Sequence, residues 1–197
     1  MKLALCVVVA LAFGAAAAEP LQVLSEKRIR LGVAGAPEWQ TFANDPPQAN
    51  RFELRFQAEP NATEATLFIR QDDVKQVWPV ELNGKRIGQL FTMEADLVHT
   101  INVPTGALKA GENVLTFVPP LDRDDIILHE ITLDRRARDA AIGEASLAVK
   151  VLGADGHPLP ARITVVDANG ALAALVAVKD APPLAIRPGV AYSGGSE

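Results

Sequence analysis

The sequence is poor in the residue types that build most catalytic and metal centres. It has one cysteine and three histidines in 197 residues. A single cysteine forms no disulfide within the chain, so stability has to come from packing. Lys and Arg (19) do not outnumber Asp and Glu (24), and the net charge is −5. That excludes the basic face a phosphate-backbone binder needs, so nucleic acid is not an expected partner. Aromatic residues make up only 5% of the chain. No apolar run reaches the ~20 residues of a membrane span.

The longest apolar stretch, residues 3–13, follows Met1-Lys2 and precedes Gly14 and four alanines. A short basic start, an apolar stretch and small residues form a secretory signal peptide. Ala16-Ala17-Ala18 places the cleavage after residue 18. Cys6 leaves with the peptide, and the mature chain has no membrane span. The expected location is the periplasm or the outside of a bacterial cell. Asn61-Ala62-Thr63 matches the glycosylation sequon, which carries no meaning in that setting.

Beyond residue 20 the dominant pattern has period two. Arg51-Phe52-Glu53-Leu54-Arg55-Phe56 alternates without a break, the mark of a half-buried strand. Further strands are expected at 66–69, 77–82, 85–90, 97–103, 113–118 and 126–133, with one or two more in 21–33. Asn83-Gly84 is the strongest hairpin signal in the chain. Residues 34–50 contain three prolines and no period, and read as a long surface loop. Strands at this spacing with no convincing helix predict an all-β sandwich, with a jelly roll as the natural two-sheet form. The mature first domain is assigned to residues 19–134. Residues 135–145, charged and alanine-containing, read as a linker or a one-turn helix. A second β pattern occupies 146–197, with strands expected at 146–152 and 162–166 and turns at 153–156 and 167–170.

The motifs of catalysis are missing. The histidines His99, His129 and His157 are isolated, with no H-x-H or HExxH spacing. No G-x-S-x-G, catalytic cysteine or phosphate-cradling glycine loop is present. The chain therefore reads as non-enzymatic. The most acidic stretch is Asp122-Arg123-Asp124-Asp125. Asp122, Asp124 and Asp125 are the candidate oxygen ligands for a structural Ca²⁺, against the alternative of a solvated turn. No other cofactor is expected.

Two resemblances sharpen this reading. The hairpin Val80-Glu81-Leu82-Asn83-Gly84-Lys85 and the later Gly111-Glu112-Asn113-Val114-Leu115 resemble the LNGK hairpin and G-x-N-x-L strand of galactose-binding-like jelly rolls. Asp155-Gly156-His157-Pro158-Leu159-Pro160 and Arg187-Pro188-Gly189-Val190-Ala191-Tyr192 resemble the carboxypeptidase-regulatory-like, or transthyretin-like, β-sandwich. The version most similar precedes the metal-dependent hydrolase domain of the CehA/McbA family. Residues 146–197 are fewer than the ~80 such a sandwich needs, so a partial domain is expected. The resemblance implies an accessory region, carbohydrate-binding-like, at the front of a longer hydrolase. Its partners would be a carbohydrate and a downstream catalytic domain. The hydrolase's metal-binding histidines have no counterpart here. A sugar contact needs an aromatic platform with polar neighbours, which singles out Trp39 with Glu38 and Gln40. The alternative is a pair of structural spacer or protein-interaction modules without a ligand.

Overall fold

The Asn83-Gly84 turn lies at the tip of the hairpin from which the whole first domain is rolled. The computed structural model describes residues 21–35, 37–120, 123–147, 149–177 and 185–194. Asn83 (φ 53°) and Gly84 (φ 77°) both take left-handed angles, as a tight two-residue hairpin turn requires. They join β5 (Pro79–Leu82) to β6 (Lys85–Gln89). Pairing then continues outward from the tip. β4 (Ala65–Asp72) pairs with β7 (Leu97–Val103), and β3 (Phe52–Ala58) pairs with β8 (Gly111–Phe117). β1 (Leu21–Ser25) and then β2 (Ile29–Leu31) pair with β9 (Ile126–Asp134). All of these pairs are antiparallel.

Successive pairs fall alternately into two sheets, β1-β9-β4-β7 with β2 on β9, and β3-β8-β5-β6. A long hairpin rolled up in this way is a jelly roll. The fold is all-β, and its first unit is the sandwich that the period-two pattern predicts.

The inward residues of each strand close the core. Leu67 and Ile69 from β4, Val80 and Leu82 from β5, and Leu115 and Phe117 from β8 are buried together. Each such side chain contributes roughly 1.5–3 kcal/mol on leaving water. Trp78 is fully buried beside them. Strand β9 is paired on both edges, with β1 and β4. All but two of its nine residues are buried, which explains its imperfect alternation in the sequence.

Three asparagines lock the end of the sandwich that carries the hairpin tip. The Asn113 side chain accepts from Lys109 N–H (3.0 Å) and donates to the carbonyls of Lys109 (2.8 Å) and Gly111 (3.0 Å). It also accepts from Asn83 Nδ2 at 2.8 Å. Asn61 donates to the carbonyls of Thr63 and Pro104 and accepts from Leu108 N–H. Both ends of its amide are engaged and only 5% of the residue is exposed. The sequon asparagine is thus a structural residue.

After β9 the chain makes the short helix α1 (Arg138–Ile142). A helix of this length does not persist alone. Arg138 holds it to β7 by donating from Nε to Thr100 Oγ1 at 2.9 Å. The later residues form a third antiparallel sheet. Its strands are β10 (Pro160–Thr164), β11 (Ala185–Arg187) and β12 (Val190–Gly194), in the order β10-β12-β11. Leu172 joins the two units. Its N–H donates to Asp96 O (2.9 Å), and its carbonyl accepts from Val98 N–H (2.8 Å).

The strand expected at 146–152 does not form. Among the described residues no strand pairs with it, and Leu152 makes only an isolated bridge to Pro158. Leu147 (72% exposed) and Val149 (45%) face solvent. Alternation without a partner strand leaves both the ladder and the apolar face unsatisfied. The strand expected at 162–166 lies two residues earlier. The 167–170 turn is present: Asp167 Oδ1 accepts from the N–H groups of Asn169 (2.8 Å) and Ala171 (3.0 Å). The proposed signal peptide lies outside the described residues.

Replacing Asn113 with alanine should lower stability by about 2 kcal/mol or more, because several buried polar groups lose their partner together. Urea unfolding of the full chain measures this. A change under about 0.5 kcal/mol would show that the asparagine cluster is not holding the turn.

Candidate functional site

The end of the sandwich opposite the asparagines gathers four loops: β2–β3, β4–β5, β6–β7 and β8–β9. They are tied by backbone and side-chain bonds. Val74 N–H donates to Met93 O at 3.1 Å, Gln71 Oε1 accepts from Phe91 N–H at 2.9 Å, and Gln48 N–H donates to Arg30 O at 3.0 Å. At the centre lies Arg30, on β2 between Ile29 and Leu31, with its side chain 1% exposed. Its Nη2 donates to Asp125 Oδ2 at 2.7 Å, and that carboxylate is fully buried. The guanidinium also lies 4.5 Å from the centroid of the Phe42 ring and donates to Phe42 O at 3.2 Å. Buried charges persist only when paired and hydrogen-bonded like this. A Cβ at Gly32 would fall on the Asp125 carboxylate, so glycine is needed for the close approach.

The second carboxylate, Asp124, is equally committed. Its Oδ2 accepts from Lys75 N–H (3.2 Å), Gln76 N–H (2.9 Å) and Trp78 Nε1 (2.8 Å). Its Oδ1 lies 3.5 Å from Lys75 Nζ. The ammonium of Lys75 also pairs with Asp73 (2.9 Å) and Glu38 (3.1 Å). Burial works against its charge, but the pairs with Asp73 and Glu38 outweigh this and raise its pKa. Burial pushes the Asp73 carboxyl up despite Lys75 beside it.

These contacts answer the sequence candidates one by one. Asp124 and Asp125 turn inward to different cations of the chain, Lys75 and Arg30, rather than converging on one point as calcium ligands. Asp122 lies outside the described residues. Among the described residues no group of three His, Cys, Asp or Glu side chains is arranged to hold a metal ion. Glu38 is also drawn inward. Its N–H donates to Asp125 Oδ2 (2.7 Å), and its Oε2 accepts from Asp125 N–H (3.2 Å) besides pairing with Lys75. Trp39, the next residue, is 52% exposed, and Gln40 beside it is exposed. The loop thus presents an indole to solvent from an anchored base. The three histidines do not come together.

Two clefts lie elsewhere. One of about 600 Å³ runs between β6 and β7 of the jelly roll and residues 174–177 and 186–188 of the second unit. His99 is in its wall, 5.8 Å from the Phe91 ring, with Nε2 3.1 Å from Gln89 O. Burial lowers its pKa to about 4; the Gln89 carbonyl opposes that shift, and the nearby Arg138 adds to it. The imidazole is therefore neutral at neutral pH. A smaller cleft of about 380 Å³ lies on the outer face of the β1-β9-β4-β7 sheet, over Phe68. Its charged groups are largely self-paired. Arg70 forks onto Asp96 (2.9 and 2.6 Å), and Arg136 joins Asp134 (2.6 Å) to Glu144.

Sequence reasoning found the acidic loop and Trp39 but not the cations. Arg30 was legible as a lone charge between Ile29 and Leu31 in an apolar strand, a pattern that calls for a buried partner. Nothing local marked Lys75 or the role of Arg138.

No family model matches the chain, and no curated protein matches it. Among solved structures, the chain is similar to the GH26-CBM35 β-(1,4)-mannanase of Podospora anserina. That match has 14% identity and a TM-score of 0.37, and it covers 68% of this chain and 29% of the mannanase. The chain thus spans less than a third of that protein's length. It is also similar to the CBM36-1 domain of a multidomain xylanase from the hindgut metagenome of Trinervitermes trinervoides. Here the identity is 9% and the TM-score 0.33, with 55% of this chain and 96% of that domain covered.

Two outcomes follow from the site. Asp125→Ala strands the Arg30 guanidinium without its counter-charge and should cost about 3–5 kcal/mol in urea unfolding. A loss below about 1 kcal/mol would mean the pair is not a structural keystone. His99 binds a proton less readily folded than unfolded, so its stabilising effect is complete above pH 6.5 and declines as pH falls toward 4. His99→Gln should remove about 1–3 kcal/mol of that acid-side decline. An unchanged slope between wild type and variant would rule out a desolvated imidazole.

Proposed function

We propose that this chain is a non-catalytic accessory region of an exported protein, with a jelly roll that binds carbohydrate through Trp39. The observation that carries this is the half-exposed indole on a loop pinned by Glu38 to Asp125 and Lys75. A flat apolar ring held rigidly beside polar groups suits the apolar face of a sugar, since little ordering entropy is lost on binding. Gln40 is the neighbouring polar contact. The role of Glu38 is to hold the loop. The wider setting belongs to the same proposal: export to the periplasm or medium after cleavage at residue 18, and a metal-dependent hydrolase domain downstream, as the CehA/McbA resemblance implies.

Affinity gel electrophoresis of the full mature chain against a panel of soluble polysaccharides, β-mannan and xylan among them, tests the reading. Retardation by at least one polymer is expected. Trp39→Ala should abolish it while moving the Tm by no more than about 2 °C, the scale of a surface substitution. No retardation by any polymer would leave the modules as spacers or protein-interaction surfaces.

A further inference from the structure

We propose that the cleft between the jelly roll and the second unit binds a small organic anion, carrying a carboxylate or phosphate group, on Arg138 and Arg187. It shares no residue with the Trp39 loop and does not depend on the sugar-platform reading. The volume of about 600 Å³ lies in the range of small-molecule sites. Junctions between units are where such sites commonly form.

The charge of the cleft is one-sided. Among its described lining residues the charged groups are the two arginines, with no Asp or Glu. Five arginines outside the cleft, Arg28, Arg30, Arg55, Arg70 and Arg136, each have a carboxylate within 3 Å, while Arg86 and Arg135 donate to carbonyl and amide oxygens. Arg138 and Arg187 have neutral partners and also line the cleft. Among the described residues Arg138 meets a hydroxyl, Thr100 Oγ1 (2.9 Å), and a carbonyl, Leu175 O (3.2 Å). Among the described residues Arg187 reaches the Tyr192 hydroxyl, at 3.4 Å.

The contacts of Arg138 fix its plane without cancelling its charge. They use Nε and Nη2, so among the described residues Nη1 is left as a donor. A fixed guanidinium fork matches the paired oxygens of a carboxylate or phosphate. His99 is neutral in this setting and neither adds to nor offsets the field. Phe91 and Ile101 supply an apolar wall, and Gln89 and Asn102 supply amide groups for the rest of a polar ligand.

Isothermal titration of the full chain at low salt with glucose 6-phosphate, glucuronate and glucose tests the site. These probes share a ring and differ at one substituent. At least one of the two anions should bind about tenfold tighter than glucose, and which one does so identifies the anionic group. Arg187→Gln, an exposed position, should weaken that binding about tenfold with unchanged Tm, and Arg138→Gln should weaken it at least as much. If Arg138→Gln fails to fold, backbone amide shifts at Thr100 and Leu175 on titrating wild type with the anion replace it. Equal affinity for glucose, no binding of either anion up to about 10 mM, insensitivity to Arg187→Gln, or unmoved amides would each overturn the proposal.

Discussion

A guanidinium with almost no contact with water is the constraint around which one end of this molecule is arranged. Arg30 sits in a strand whose neighbours are apolar, so its charge must be met inside the protein. Asp125 meets it from the start of β9, 95 residues away. The same carboxylate holds the backbone of Glu38, so one ion pair fixes a strand, the entry to another strand and a proline-rich loop. Without it that loop has little apolar surface of its own to fold against. The loop's order, and the direction of the Trp39 indole, are consequences of a charge buried elsewhere.

The two ends of the jelly roll solve the same problem with different chemistry. Loop backbone entering a sandwich needs partners for its N–H and carbonyl groups. At the hairpin end these are neutral asparagine amides, each able to donate and accept. At the other end carboxylates, with Lys75 and Arg30 as counter-ions, join the side-chain amides of Gln71 and Gln48. Amide locks carry no net charge, whereas the ionic end rests on the charge pairs that Lys75 and Arg30 make with carboxylates.

Much of the sandwich was legible because its signals are local. Asn83-Gly84 demands a particular turn, and residues 97–103 alternate so cleanly that the expected strand and the observed one coincide. The acidic loop was legible as charge but not by its contacts, for a physical reason. Adjacent aspartates before a strand look like ligands on a surface, but Asp124 and Asp125 point inward because Lys75 and Arg30 lie across the fold, and distance in sequence hides them. Residues 146–152 failed in the opposite way. Leu147 and Val149 have the right spacing, yet a strand exists only as half of a pair, and the described residues hold no other half. The cleft with Arg138 could not be read at all, since it is made by two units meeting through Leu172.

That meeting also changes one border of the jelly roll. β7 ends its sheet, so the row of amide and carbonyl groups facing away from β4 is an open edge. Leu172 takes the Asp96 carbonyl and the Val98 amide at one end of that row, in parallel register. The second unit therefore does more than follow the first along the chain: it adds a residue to the first unit's own hydrogen-bonded border.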